Sequence, residues 1–305
     1  MKVSARADKI RTDYSRAAIS RRQPAADDRS RVAILASAPG DVRIGPVAAL
    51  PDVLSELGVS PQRAFAQAGV KLAAFRNPES RISFEALGGL FAASEALSGC
   101  DHLGLLVGQR FTLHAFGALG SLIRNSPTVG DGLRALLLNL YLHDRGAAPV
   151  LLKPDSSSVI LGYAIYKHGI PGTAQLYDVA ISIGFRILQA IGGPTWKPLA
   201  VQFAHFRPEN IRPYRQLFGP NVRFDAEVSG IGFATSWLDH PIGGADPVLH
   251  EMISRGLKEQ VESNRITFSD QVHCVLHQMV LSGTSSAQNI AQLFGIHERT
   301  LRKRL

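Results

Sequence analysis

Leu87, Leu90, Phe91 and Leu97 recur at three- and four-residue spacing behind Ser83, which lays one apolar stripe along a helix. Ser83 stands where an N-cap belongs, and Gly99 where such a helix stops. The same grammar repeats along the first half of the chain. Val53, Leu54 and Leu57 precede Gly58. Ser60-Pro61 opens a helix carrying Ala64, Phe65 and Ala68 that ends at Gly69. Thr128 caps a run in which Leu133, Leu136, Leu137 and Leu140 share one face. After Gly146 the period shortens. Pro149 to Leu152 and Val159 to Tyr163 flank Asp155-Ser156-Ser157-Ser158, a hairpin signal. A helix is predicted over 174–191, a strand over 199–203, a helix from near Pro208, and short strands at 222–224 and 230–234. Helices first and antiparallel strands later predict an α+β fold rather than a doubly wound sheet.

Asp246-Pro247 then starts a helix cleanly, with Val248, Leu249, Met252, Ile253, Leu257 and Val261 as its apolar stripe. Packing within the chain and pairing with a second copy both fit that stripe. Residues 262–265 read as a connector. Phe268, Val272, Val275, Leu276, Met279 and Val280 mark a helix up to Gly283, and Ser285 or Ser286 caps the next, Ala287 to Phe294. Gly295 makes a turn, and a last helix starts at His297 or Glu298. Two helices meeting at a sharp turn need a small residue facing the partner, a Gly in the turn and an apolar lock on the second helix. Ala291, Gly295 and Leu301 stand at those positions, with Ile290, Phe294, Ile296 and Leu305 completing the seam. With Leu301 and Leu305 inward, Arg299, Arg302 and Lys303 face outward, where a helix-turn-helix enters a major groove. Arg304 is placed to neutralise phosphate. The bland alternative is a solvated basic face.

The net charge of +8 sits at the two ends. Residues 1–44 hold ten Lys/Arg against five Asp/Glu, residues 297–305 four against one, and the stretch between balances at nineteen against nineteen. Only the ends are therefore electrostatically suited to nucleic acid. Residues 1–44 read as a disordered basic arm, either an unselected start or a DNA-contacting segment. Four parts are expected: the arm at 1–44, an effector-sensing and dimerisation domain at 45–245, a linker helix and connector at 246–266, and a partial DNA-binding domain at 267–305. No apolar run is long enough for a membrane span. Arg21-Arg22 lacks the apolar region that export would need. Two distant cysteines, Cys100 and Cys274, favour a reducing cytoplasm over a disulfide framework.

No phosphate-binding loop, nucleophile elbow, HExxH or dinucleotide fingerprint occurs, so neither enzymatic activity nor a cofactor is expected. Asp270, His273, Cys274 and His277 gather on one helix, but a metal site needs further strong ligands and a supporting shell, and no metal is expected. Tyr141, Tyr163, Tyr166, His168 and Tyr177 fall where helix gives way to sheet. They are candidates for a small-molecule cavity, although ordinary cores use such residues more often.

Two regions resemble the AraC family of bacterial transcription regulators, in the subgroup with an arabinose-binding-type N-terminal domain. In the body these are Leu57 to Pro61, Ala68-Gly69-Val70, Arg81 to Phe84, Phe203 to Pro208, Tyr214 to Phe224, Leu238 to Pro241 and Asp246-Pro247. In the tail, Ile290 to Leu305 resembles the first of the family's two helix-turn-helix motifs, with His297-Glu298 where Ser-Pro is common and Lys303 where Arg is. The resemblance implies a dimeric, effector-responsive regulator of promoter DNA, active in the cytoplasm at the nucleoid. Its DNA-binding domain would be cut off after the first motif, with weak DNA binding as the consequence. The rival readings are a ligand-binding and dimerisation module that sequesters a full-length relative, and a cofactor-holding sensor.

Overall fold

The computed structural model describes residues 42–263, 267–281 and 285–305. Residues 1–41 of the expected arm lie outside them. The last three arm positions correct the expectation: Val42, Arg43 and Ile44 are buried in the core. Val42–Arg43 is strand β1, paired antiparallel with β2 at Arg81–Ile82. An apolar–charged–apolar triplet can act as a strand because Arg43 finds buried partners for its guanidinium.

Short helices α1 (Leu50–Glu56) and α2 (Pro61–Gln67) follow β1 and precede β2. After β2 come α3 (Phe84–Ser98), α4 (Leu103–Gln109), α5 (Ala118–Arg124) and α6 (Val129–Asn139). Ser83 caps α3 by accepting from the Ala86 amide at 3.0 Å, and Thr128 caps α6 by accepting from Asp131 at 3.1 Å. Ser60 occupies the cap position of α2, but its hydroxyl bonds the Gln62 side chain instead.

The hairpin is β3 (Ala147–Leu152) and β4 (Ser158–Ile165). Asp155 Oδ1 accepts the Ser157 and Ser158 amides at 2.7 and 2.8 Å, which closes the turn. With β5 (Ala200–Gln202), β6 (Val222–Arg223) and β7 (Gly230–Ala234) they form a five-stranded sheet of order β3-β4-β7-β5-β6, antiparallel except for β5 with β6. The helix expected near Pro208 begins later, as α8 (Arg212–Phe218). Asn210 accepts the Arg212 amide, and Pro213 then enters the first turn. The architecture is α+β.

Helix α7 (Thr173–Gly192) lies between the sheet and the helical half and forms the axis of the main core. Its contact with α4 is unusually close. A Cβ at Gly104 would lie 2.2 Å from the Gln175 carbonyl, and one at Gly108 2.5 Å from Ser182 Cβ. Gln175 also accepts the Gly104 amide at 2.7 Å, satisfying a helix-start donor from the partner helix.

Helix α9 (Pro247–Ser263) starts with Asp246 Oδ1 accepting the Val248 and Leu249 amides at 2.9 and 3.1 Å. Its stripe divides. Leu257 and Ile253 pack on the main core, whereas Val248 and Met252 stay 70% and 66% exposed. The chain continues through α10 (Phe268–Leu281), α11 (Ala287–Phe294) and α12 (Glu298–Arg304), which enclose a separate small core of Val272, Met279, Ile290, Ala291 and Leu301. Among the described residues no helix is long and apolar enough to cross a membrane.

Candidate functional site

A cavity of about 90 Å³ opens beside α7, where α6, the sheet and the segment around β1 converge. Its body is apolar: Leu136 and Leu140 from the α6 end, Leu176, Val179, Ile183 and Ile187 from α7, Leu161 and Ile231 from the sheet, and Phe84, Leu87 and Phe116. Val42, Val47 and Ala180 complete much of the wall.

Polar groups converge on it, and they are Arg43, His143, Asp144 and Tyr163. The Arg43 guanidinium is buried. Its Nε donates to Glu79 at 2.9 Å, Nη1 donates to the Ala115 carbonyl at 2.5 Å, and Nη2 forms a short contact with the other Glu79 oxygen. His143 Nδ1 stands 3.3 Å from Nη1. Burial, and then the charges of Arg43 and Arg81, push His143 down to about 3, so the ring is neutral at pH 7 and can accept from Arg43. Arg43's hydrogen bonds hold the Glu79 carboxyl below its ordinary range despite partial burial. The Tyr163 hydroxyl donates to Asp144, and burial with that carboxylate drives its pKa well up. This combination suits a small molecule with an apolar body and one hydrogen-bonding end.

The five aromatic candidates are brought together only in part: Tyr177 and Tyr166 lie near Tyr163, while His168 and Tyr141 stand apart. Tyr163 lines the cavity, and Tyr177 meets its ring edge-on at 6.5 Å between centroids. Tyr166 is half-buried on the chain just past β4. His168 is exposed on the following loop, and Tyr141 lines a different cleft, between α6 and α9 to α12. His168 and Tyr141 diverge from the other three because they sit on a loop and at a helix end that face away from the cavity. Arg43, His143 and Asp144 were missed. The available signal was an arginine set between Val42 and Ile44, a charge placed where only a partnered one can be buried.

A second buried polar group lies further along α7. Asp178 is fully buried, with His205 Nε2 at 3.0 Å from Oδ1 and the Tyr214 hydroxyl donating to Oδ2 at 2.6 Å. His205 Nδ1 faces the Phe206 carbonyl at 2.9 Å, so both ring nitrogens meet acceptors, as in an imidazolium. Burial works against that charge, but the Asp178 hydrogen bond and carboxylate outweigh it and raise His205.

At the C-terminal end, Ser286 caps α11 by accepting the Asn289 amide at 3.1 Å. The other end closes with Gly295 left-handed at φ +67°, its amide on the Gln292 carbonyl at 3.1 Å and the Ile296 amide on Ala291 at 3.0 Å. This two-bond closure is a Schellman motif, which needs glycine. Ile290, Ala291 and Leu301 are buried between the helices. Arg299, Arg302, Lys303 and Arg304 are all exposed. They differ in engagement. Arg302 donates to Glu298 at 2.6 and 3.0 Å, and the Arg304 guanidinium lies 3.9 Å over the Phe268 ring. Leu305, expected inward, is 62% exposed because α12 ends at Arg304. His297 precedes α12 without a capping side-chain bond. The side chains of Asp270, His273, Cys274 and His277 lie outside the described residues. Among the described residues no group of three His, Cys, Asp or Glu is placed to share a metal ion.

Residues 58–242 match the family described as "Arabinose-binding domain of AraC transcription regulator, N-term". The chain is similar to the HTH-type transcriptional regulator VirS of Mycobacterium tuberculosis, 26% identical over 255 residues that make up 83% of this chain and 75% of VirS. It is also similar to the ornithine utilization regulator of Pseudomonas aeruginosa, 28% identical over 215 residues, 67% of this chain and 60% of that protein. Among solved structures, the transcriptional regulator CdpR from Pseudomonas aeruginosa aligns with a TM-score of 0.47 at 17% identity, covering 80% of this chain and 76% of the other.

Proposed function

Because the chain belongs to the AraC family of transcription regulators with an arabinose-binding-type N-terminal domain, we propose that its cavity beside α7 is the effector site of a DNA-binding regulator. The observation that carries this reading is the convergence of Arg43, His143, Asp144 and Tyr163 on an otherwise apolar cavity. A core that served packing alone would be filled; an apolar cavity with a few convergent polar groups is the form small-molecule sites take. The effector class is a small, mainly apolar molecule carrying one hydrogen-bonding group toward Tyr163 and Asp144.

The DNA interface is α12, a recognition helix with Arg299 and Lys303 free for base or phosphate contact, Arg302 restrained by Glu298 and Arg304 by Phe268. The four cationic side chains of α12 can make only a few phosphate contacts, so binding through this helix alone is weak and its salt dependence shallow. The exposed Val248, Leu249 and Met252 on α9 support homodimer formation, with action in the cytoplasm at the nucleoid. No cofactor enters this reading.

A thermal-shift screen of small apolar alcohols, phenols and amines tests the effector site. A hit should stabilise the wild-type chain and lose its effect in Ala180→Phe, which fills the cavity. Equal shifts in both proteins, or none across the screen, overturn the assignment.

A further inference from the structure

Helix α11 ends with carbonyls that its own closure leaves over. The Schellman bonds use Ala291 and Gln292, and the next carbonyl, Leu293, has no partner within the turn. The donor comes from the other core. Arg134, on α6, places Nε 2.7 Å from the Leu293 carbonyl and Nη2 3.2 Å from that of Gln292. A guanidinium at the negative end of a helix also meets the favourable end of its dipole. The approach is tight, since a Cβ on Gly295 would come within 2.5 Å of Arg134 Nη2.

Arg134 shares its helix with the cavity wall. Leu136 lines the cavity, and two residues along an α-helix is a rotation of about 200°, so the cavity face and the Arg134 face lie on opposite sides of α6. At its start the helix is tied to the loop after β7 by Val129 donating to the His240 carbonyl at 2.9 Å. The α10–α12 unit has its own core, and a cleft lined by Tyr141, Lys258, Phe294 and Arg304 separates much of it from the body. Among the described residues α10 runs against β3 and α6 and α11 against α6, and Arg134 supplies side-chain hydrogen bonds from α6 to the end of α11.

We propose that Arg134 is the coupling residue of this regulator: a clamp from the back of the cavity wall onto the carbonyl end of α11, which converts a displacement of α6 into a reorientation of the recognition helix. The proposal rests on the cavity being the effector site.

Pulsed electron–electron distance measurements test it, with nitroxides on Lys153→Cys and Thr300→Cys in a Cys100→Ala, Cys274→Ala background. Both label positions are exposed. Wild-type Arg134 should give one narrow distance peak. Arg134→Ala should lose it for a broad distribution, with circular dichroism unchanged, and Arg134→Lys should restore part of the peak. Adding Ala180→Phe, which occupies the cavity covalently, should shift the peak with Arg134 present and leave the Arg134→Ala distribution unmoved. A distribution in Arg134→Ala identical to wild type overturns the clamp. A cavity-filling shift of equal size in both backgrounds overturns the coupling. Failure of the effector-site reading shows elsewhere, as the absence of any thermal shift by small ligands, and the Arg134→Ala release experiment decides the clamp without it.

Discussion

His205 Nε2 lies 3.0 Å from Asp178 Oδ1, joining the loop after β5 to the central helix α7 through a largely buried ion pair. The pairing raises the folded pKa of His205 above its ordinary value of 6.5. A raised histidine contributes stability that is complete below the unfolded pKa and is lost as pH rises through the folded one. Burial outweighs the bonds to Asp178 and raises that carboxyl too, which also favours the protonated, lower-pH side. The melting temperature should therefore fall as pH rises from about 6.5 through the folded pKa of His205, and His205→Gln should flatten that slope. An unchanged slope in the variant would remove His205 as its origin.

Arg43 holds the strand that closes the cavity. Its bonds to the exposed Glu79 contribute little, but Arg43→Met leaves the Ala115 carbonyl and His143 without their donor. The expected cost is about 2–4 kcal/mol in urea unfolding, with no change in m-value.

The contact of α4 with α7 should be intolerant of a single methyl group. Gly104→Ala forces Cβ against the Gln175 carbonyl, where backbone rather than a flexible side chain must yield. Destabilisation of about 3 kcal/mol or more is expected, whereas Gly89→Ala, with open space at its Cβ, should be near neutral or stabilising. Thermal melts of the two variants side by side check this.

On α12, Glu298 restrains Arg302, and in the proposed interface it would present a negative charge to DNA. Glu298→Gln should raise affinity for a mixed-sequence duplex by a few-fold, of order 1 kcal/mol or less. Arg299→Ala should lower affinity and reduce the salt slope by about 1. Fluorescence anisotropy across a salt series separates the two. Weaker binding by Glu298→Gln would mean that the Arg302 pair is needed to present the helix.

The caps at Ser83, Thr128, Ser286 and Asp246, the Asp155 hairpin and the Ala291/Gly295/Leu301 arrangement were legible in the sequence because each depends on residues within a few positions of one another. The cavity was not. It joins Arg43 to His143, one hundred positions apart, and the local excess of charge around Arg43 masks the apolar neighbours that bury it. The aromatic group was legible only in part: Tyr163 reaches the cavity, while Tyr141 and His168 point elsewhere, since direction is set by helix and strand geometry rather than by spacing. Arg134 gave no sequence signal, because its partners are backbone carbonyls nearly 160 positions away.

Whether the state of the α7 cavity governs DNA binding at α12 is decided by anisotropy titrations of one duplex with wild type and Ala180→Phe at fixed salt. With both proteins folded by circular dichroism, the two affinities should differ by about 5-fold or more, the scale of an allosteric coupling. Superimposable titrations and salt slopes would contradict it.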